Sequence, residues 1–387
     1  MMPVNRVVVI GATGSIGRQA LEVISRFPKE FELVGAVGGR RAAVLAEALK
    51  PFPSARAVIV DPADEVPEGM LIGVDAACEL VAGGAADVIL VGGGGAGALL
   101  PTLAACEQGG VVAVATKEVL VMAGELVAAT AATHGTTILP VDSEHSAIWQ
   151  CLRGEEKDTV ARLLLTASGG PFRATPLAEI PGATREQALD HPNWRMGPKI
   201  TVDSATMMNK GLEVIEAHFL FDLPYEVIEV VIHPQSAVHS AVEFCDGTLI
   251  AQLGIPDMRA PIALALTGGR RLRGVVAPLR LVEGARLDFE PVDMRRYPAL
   301  GVARRAAARG GGVPAAMNAA NEVAVAAFLA GQIPFGAIAE VVAEASDSFP
   351  ARPVRSLPEI LDADAAGRSL AREVIEARSR APLRTLA

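Results

Sequence analysis

Arg6-Val-Val-Val-Ile10-Gly11-Ala-Thr-Gly14-Ser-Ile-Gly17 runs an apolar stretch straight into a glycine turn, and Arg18–Ser25 follows with helical character. Successive β-branched residues suit a strand buried on both faces, as in a parallel sheet. Glycines at this spacing permit a tight turn and close backbone approach, while the helix start presents unpaired N–H groups to a pyrophosphate. Many turns carry similar spacing. Its weight comes from its position after the first strand of a strand–helix–strand unit.

The alternation continues through the first 140 residues. Glu32–Val37, Ala57–Val60, Val88–Val91, Val111–Ala115 and Thr136–Val141 read as further buried strands, with Ala42–Leu49, Leu99–Gln108 and Ala123–Thr133 as crossover helices. This predicts an α/β fold with a Rossmann-like, doubly wound parallel sheet over residues 1–142. Residues 143–267 change character: Val160–Thr166, Glu226–Ile232, Ala241–Phe244 and Leu249–Leu253 read as strands separated by polar loops and a helix from about Asn209. A central α+β catalytic unit is expected there. Gly268–Arg296, rich in Arg, Gly and Pro, reads as a linker, and the Ala-rich stretch 297–387 as a C-terminal helical bundle.

A chain of 387 residues that is 51% hydrophobic has material for two or three cores, and with only 4% aromatics those cores rest on Ala, Val, Leu and Ile. A net charge of −9 argues against a nucleic-acid partner, which needs a basic face to displace counterions. A small anionic substrate needs only a few local cations. Cys78, Cys106, Cys151 and Cys245 lie far apart with no C-x-x-C pair, which suits free thiols in a reducing cytoplasm. The apolar run after Arg6 is too short for a signal peptide, and the longest uncharged run, Val88–Cys106, is broken by glycines and Pro101. No membrane association is expected.

Several segments carry chemistry. After the second strand comes Gly38-Gly39-Arg40-Arg41, where NAD-binding sheets usually place an acid for the ribose hydroxyls. Two guanidinium groups suit a 2′-phosphate, so NADPH is expected rather than NADH; a solvated helix start is the competing account. The glycine run Gly92–Gly95 suits a loop beside the cofactor or a merely flexible turn. Asp142 and Glu144, read as two residues apart on extended chain, point to one side and suit Mg²⁺ or Mn²⁺. Two solvated loop acids would look the same.

Further segments tip that balance. Ala167-Ser168-Gly169-Gly170 suits an oxyanion, and His191-Pro-Asn-Trp194-Arg-Met196-Gly197 suits a loop that closes over a ligand, or a Trp that anchors the loop. In Asp203-Ser204-Ala-Thr-Met-Met-Asn209-Lys210-Gly211-Leu-Glu213 the Ser, Asn and Lys suit a phosphate. Glu213 completes a three-carboxylate set with Asp142 and Glu144, ordinary helix capping by Ser204 or Asn209 being the rival reading.

Lys117-Glu118, Val141-Asp-Ser-Glu-His-Ser-Ala-Ile148, Ser168-Gly-Gly-Pro-Phe172, His191-Pro-Asn-Trp194, the 203–213 segment, Ile232-His-Pro-Gln-Ser236, Pro256-Asp-Met-Arg259 and Asn318-Ala-Ala-Asn-Glu322 follow one another in order. Together they closely resemble the 1-deoxy-D-xylulose 5-phosphate reductoisomerases of the non-mevalonate isoprenoid pathway, from about residue 5 to about 345. The resemblance implies rearrangement of the sugar phosphate, then NADPH reduction to 2-C-methyl-D-erythritol 4-phosphate. It implies a divalent metal (Mn²⁺ or Mg²⁺, with Co²⁺ a third candidate) on Asp142, Glu144 and Glu213. It places the substrate's phosphate on Ser168, Ser204, Asn209 and Lys210, further substrate contacts on Lys117, Ser143, His191 and His239, and a closing loop on Trp194 and Met196. Cofactor contacts fall on Thr13, Gly14, Ser15, Ile16, Gly39, Glu118 and Gly197, beside Gly11, Arg40 and Arg41 from the patterns above. A homodimer is implied as well.

Two positions depart from the family. Thr116 stands where Asn is common, and Arg40-Arg41 replaces a basic residue followed by Asn. Tyrosine-dependent short-chain dehydrogenases share the glycine turn but need Tyr-x-x-x-Lys, and neither Tyr225 nor Tyr297 has Lys four residues on. A semialdehyde dehydrogenase needs a nucleophilic Cys, and none here has a suitable setting. A non-enzymatic NADPH sensor has no use for three carboxylates and a phosphate grip. His134, His145, His218 and His233 read as structural.

Overall fold

The computed structural model describes residues 4–380 apart from 94, 195, 284 and 285. Gly94 of the glycine run, Arg195 of the expected loop, two linker positions and residues 381–387 of the expected bundle lie outside the described residues.

The Val/Ile runs form seven parallel strands, β1 (Asn5–Ile10), β2 (Phe31–Gly38), β3 (Arg56–Ile59), β4 (Leu71–Ile72), β5 (Val88–Val91), β6 (Val111–Val114) and β7 (Thr137–Pro140), ordered β4-β3-β2-β1-β5-β6-β7. Helices α1 (Ser15–Arg26), α2 (Ala42–Leu49), α3 (Val74–Ala82), α4 (Leu99–Gln108) and α5 (Lys117–His134) connect them. The winding reverses between β1 and β5, and ligands of open α/β sheets bind beyond the strand ends at such a point. Here the two backbones nearly touch: a Cβ on Gly11 would lie 2.5 Å from the Cα of Gly93.

A second sheet is built from β8 (Val160–Ala167), β9 (Ile228–Ile232), β10 (Val238–Phe244), β11 (Leu249–Leu253) and β12 (Glu290–Pro291), in the order β11-β10-β8-β9-β12, with only β8 and β9 parallel. Helices α6 (Ser143–Cys151) and α9 (Met208–Phe221) pack on it, while α7 (Arg185–Leu189) and α8 (Pro198–Thr206) join a core shared with helices later in the chain, and α10 (Arg259–Leu266) follows. Helices α11 (Pro298–Arg309), α12 (Val313–Leu329), α13 (Ala337–Ser348) and α14 (Leu357–Arg380) complete the described chain. Small residues set how closely these helices meet. A Cβ on Gly367 of α14 would fall 2.3 Å from the Ala316 carbonyl of α12, and one on Gly211 of α9 would fall 2.4 Å from Ala303 of α11.

The structure revises three readings. The chain is not extended through Asp142-Ser143-Glu144: Asp142 is the N-cap of α6 and Glu144 sits in its first turn, because the helix starts as soon as β7 ends. Gly268–Arg296 is more than a linker. Val275 is buried in the core of the first sheet, and Glu290–Pro291 pairs antiparallel with β9. Likewise α10, placed by sequence in the central unit, buries Ile262, Ala263, Ala265 and Leu266 against β1, α1 and the rest of that first core. Its apolar face covers one side of the parallel sheet, which has to be covered on both.

Candidate active site

Three elements bring the acids together. The end of β7 delivers Asp142, the first turn of α6 delivers Glu144, and α9 delivers Glu213 one turn below Asn209. One carboxylate oxygen from each lies within 4.8 Å of the other two. Packing far from the acids sets how Lys117 meets them. Gly124 of α5 lies face-on to the ring of Phe219 of α9, where a Cβ would meet the ring at 2.2 Å, and α5 carries Lys117 at its start.

Charge at the cluster is partly balanced. Lys117 Nζ reaches Asp142 Oδ2 at 2.7 Å and Glu213 Oε1 at 3.3 Å, and donates to Asn209 Oδ1 at 2.7 Å. Lys210 Nζ lies 2.9 Å from Glu144 Oε1 and donates to Glu213 Oε2. Two ammonium groups among three carboxylates leave one negative charge uncompensated. Burial, and then Glu144, push the Glu213 carboxyl up to about 7, although Lys210 and Lys117 oppose this. Burial also disfavours charge on Lys117, but Asp142 and Glu213 outweigh it and hold its ammonium well above the ordinary value. A site that strains to keep Glu213 ionised, with hard oxygen donors around it, fits a divalent cation of the Mg²⁺/Mn²⁺ type.

The same cavity, about 580 Å³, is lined by Ser143, Ser168, His191, Trp194, Met196, Gly197, Ser204, Asn209, Lys210 and His239 and also by Ser15, Ile16 and Glu118. His191 Nδ1 accepts from the backbone N–H groups of Asn193 and Trp194 at 3.1 and 3.0 Å, so its proton sits on Nε2 and is donated to Ser168 Oγ at 3.1 Å. Burial lowers the pKa of His191 and of His239, which favours neutral rings in both. Ser204 is in the last turn of α8 and Asn209 in the first turn of α9, on either side of Met207, whose left-handed backbone (φ 58°) folds the two helices back on each other. Neither caps a helix with its side chain.

At the nucleotide end Gly14 caps α1 without a side-chain hydrogen bond, leaving its first N–H groups toward the cavity. Gly11 and Thr13 form the turn behind them, while Gly39, Arg40 and Arg41 stand at the end of β2, outside the cavity lining. Arg40 Nε lies 3.3 Å from Asp61, and Asp64 accepts from the N–H groups of Ala42 and Ala43, so the start of α2 is already capped by a carboxylate. Thr116 is buried and donates toward the Val91 and Gly93 carbonyls at 3.4 and 3.3 Å, tying β6 to the glycine run.

Sequence reasoning passed over two groups. His145, read as structural, donates from Nε2 to the Glu213 carbonyl at 2.9 Å and places Nδ1 3.2 Å from Glu216, which is also fully buried. Both lie three residues along a helix from a predicted acid, so helical spacing was the available signal. Lys199, one turn before Asp203, bridges that residue to Glu118. Nothing in local spacing reports a partner 81 residues away.

A doubly wound sheet, an uncapped helix start after β1 and an acid–lysine cluster on the same cavity define a dinucleotide-dependent oxidoreductase with a metal-type site. Models of 1-deoxy-D-xylulose 5-phosphate reductoisomerase match residues 7–124, and those of its C-terminal domains match 138–221 and 253–370. The chain belongs to the 1-deoxy-D-xylulose 5-phosphate reductoisomerase family. It is 48% identical over 386 residues to the family member of Anaeromyxobacter sp. strain K, covering 98% of this chain and 99% of that one. With the Trichlorobacter lovleyi member it shares 45% over 379 residues, 96% and 97% of the two chains. The Zymomonas mobilis enzyme in complex with NADPH superposes with a TM-score of 0.89 at 42% identity, covering 97% of this chain and all of that one. A relative solved with NADPH, fosmidomycin and magnesium gives 0.90 at 38%, with the same coverage.

Proposed function

We infer that the protein converts 1-deoxy-D-xylulose 5-phosphate to 2-C-methyl-D-erythritol 4-phosphate, using NADPH and a divalent metal. The observation that carries this is the meeting of Asp142, Glu144 and Glu213 in one cavity with both a phosphate-type grip and the helix start that follows β1. Asp142, Glu144 and Glu213 would hold the cation, which when bound supplies Lewis-acid polarisation of the substrate's oxygens. NADPH supplies the hydride.

The chain's own residues do the rest. Ser168, Ser204, Asn209 and Lys210 bind the phosphate, remote from the bonds that change, so that binding energy aligns the reacting carbons. Lys117, buried and charged, neutralises the negative charge that develops on the substrate's oxygens during rearrangement. Ser143 and His239 line the cavity and contact the substrate. Trp194 and Met196, with His191 behind them, close over it and exclude water. Gly11, Thr13, Gly14, Ser15 and Ile16 receive the pyrophosphate, Glu118 and Gly197 the nicotinamide half, and Gly39, Arg40 and Arg41 the 2′-phosphate.

The direct test mixes protein, deoxyxylulose phosphate, NADPH and Mn²⁺ and follows loss of NADPH absorbance. Folded protein without turnover overturns the reading.

The second sheet ends on the open strand β11, where Leu249 is 54% exposed, and the segment before β12 leaves Val282 94% exposed. Apolar residues on an unpaired edge invite a second chain, and a homodimer is the proposed occupant. Light scattering should then report twice the 40.1 kDa chain mass. No helix among the described residues is long and apolar enough to cross a membrane. We place the reaction in the cytoplasm, where free thiols such as Cys106 and Cys151 stay reduced.

A further inference from the structure

The chemistry above leaves Lys199 without a task, yet this residue ties three parts of the molecule together. It stands in the first turn of α8, directly after the loop that carries His191, Trp194, Met196 and Gly197. Its Nζ lies 2.8 Å from Glu118 Oε1 in the first turn of α5 and 2.9 Å from Asp203 Oδ2 within its own helix. Asp203, 1% exposed, accepts on its other oxygen from Asn321 Nδ2 of α12 at 2.8 Å, and precedes Ser204 in sequence. Burial disfavours charge on Lys199, but Asp203 and Glu118 outweigh that and hold the ammonium above its ordinary pKa.

The consequence is mechanical. The loop's exit cannot move outward without breaking the Lys199–Glu118 contact, and α8 cannot turn without parting the buried Asp203 carboxylate from Asn321 of α12, which is costly. Glu118, which lines the cavity, and Asp203, the residue before the cavity-lining Ser204, thus share one ammonium group. We propose that Lys199 is a positioning residue that couples NADPH binding to the phosphate grip, by locking the loop exit and the Ser204 end of α8 to the start of α5. A dinucleotide that fixes Glu118 fixes Ser204 through this bridge, and by linkage the reverse holds equally. The inference rests on the reading of Glu118 as a cofactor contact and Ser204 as a phosphate ligand.

The test is the Kd of NADPH measured by calorimetry with and without saturating fosmidomycin and Mg²⁺. In the unaltered protein fosmidomycin should tighten NADPH by about fivefold or more, the range of a coupling free energy between sites. Lys199→Met should bring that ratio to within about twofold of one while each ligand still binds alone, and Lys199→Arg should restore most of it. Asn321→Ala, which touches neither ligand, should lower the ratio in the same direction and decides the matter if Lys199→Met does not fold. Undiminished coupling in folded Lys199→Met, or in Asn321→Ala should that variant have to decide, overturns the proposal. So does a ratio of one in the unaltered protein. Failure of the unaltered protein to bind NADPH or fosmidomycin at all would instead remove the functional reading beneath it.

Discussion

The glycine turn after β1 and the acid cluster after β7 stand at the carboxyl ends of two strands of one sheet, and they are made of different material. At the turn the working atoms are backbone. Gly11, Gly14 and Gly17 are there for what they lack, since a Cβ on Gly17 would fall 2.2 Å from the Gly11 carbonyl oxygen. At the cluster the working atoms are carboxylates and ammonium groups carried in from β7, α5, α6 and α9, whose spacing is set by packing such as that of Gly124 on Phe219. The first region is therefore intolerant of shape change and indifferent to charge. The second should tolerate an isosteric change in its fold and fail in its chemistry.

Glu213→Gln tests the second half of that contrast and carries the largest expected effect. The amide keeps the shape and forfeits one anionic ligand, so kcat should fall by at least about 10²–10³-fold. NADPH should bind with an unchanged Kd. The melting temperature should hold or rise, because the variant relieves a buried carboxyl whose charge is disfavoured. Turnover near that of the unaltered protein would exclude Glu213 from the metal shell.

Gly17→Ala inverts the experiment. Overpacking against the Gly11 carbonyl should cost about 1–3 kcal/mol of stability and displace the helix start, so NADPH binding should weaken sharply. Metal binding at the acids, read by titration calorimetry, should persist. If the alanine protein bound NADPH normally, the turn would not be a backbone cradle for the cofactor.

These contrasts follow how far each region was legible in the sequence. The turn is a local object, and its strand, glycines and helix could be read in order from residues 6–25. The acids could be named as candidates, but the extended reading of Asp142 and Glu144 failed. The helical start that presents them depends on where β7 ends. Strand β4 escapes a sequence reading because Leu71–Ile72 is two exposed residues among turn formers, and the nine-residue helix α3 is missed along with it. The pairing of Glu290–Pro291 with β9 and the burial of Glu216 against His145 depend on contacts between distant segments, which no local pattern records. The closer a feature lies to one turn of chain, the more of it could be read.

Arg40→Ala combined with Arg41→Ala probes a third setting, a charged grip on an exposed strand end. Losing charge-assisted hydrogen bonds worth about 1.5–3 kcal/mol should narrow the NADPH-over-NADH preference by about ten- to a hundredfold. Stability should barely move, because the Arg40–Asp61 pair is exposed on both sides. An unaltered preference measured by parallel kinetics with the two cofactors would move the 2′-phosphate away from β2.

Gly39→Ala should have the smallest effect, and it separates two reasons for a glycine. No heavy atom lies within 4 Å of the place its Cβ would occupy, in contrast to Gly11 and Gly17. Its backbone needs no left-handed conformation. The free protein therefore has no structural need for glycine here, and its stability should change by less than about 0.5 kcal/mol. If NADPH runs past the end of β2, the added methyl meets the cofactor instead, and the NADPH Kd should weaken a few-fold with the melting temperature unchanged. An unchanged Kd would place the adenosine end elsewhere, and a lost melting transition would mean that protein, not ligand, fills the space above Gly39.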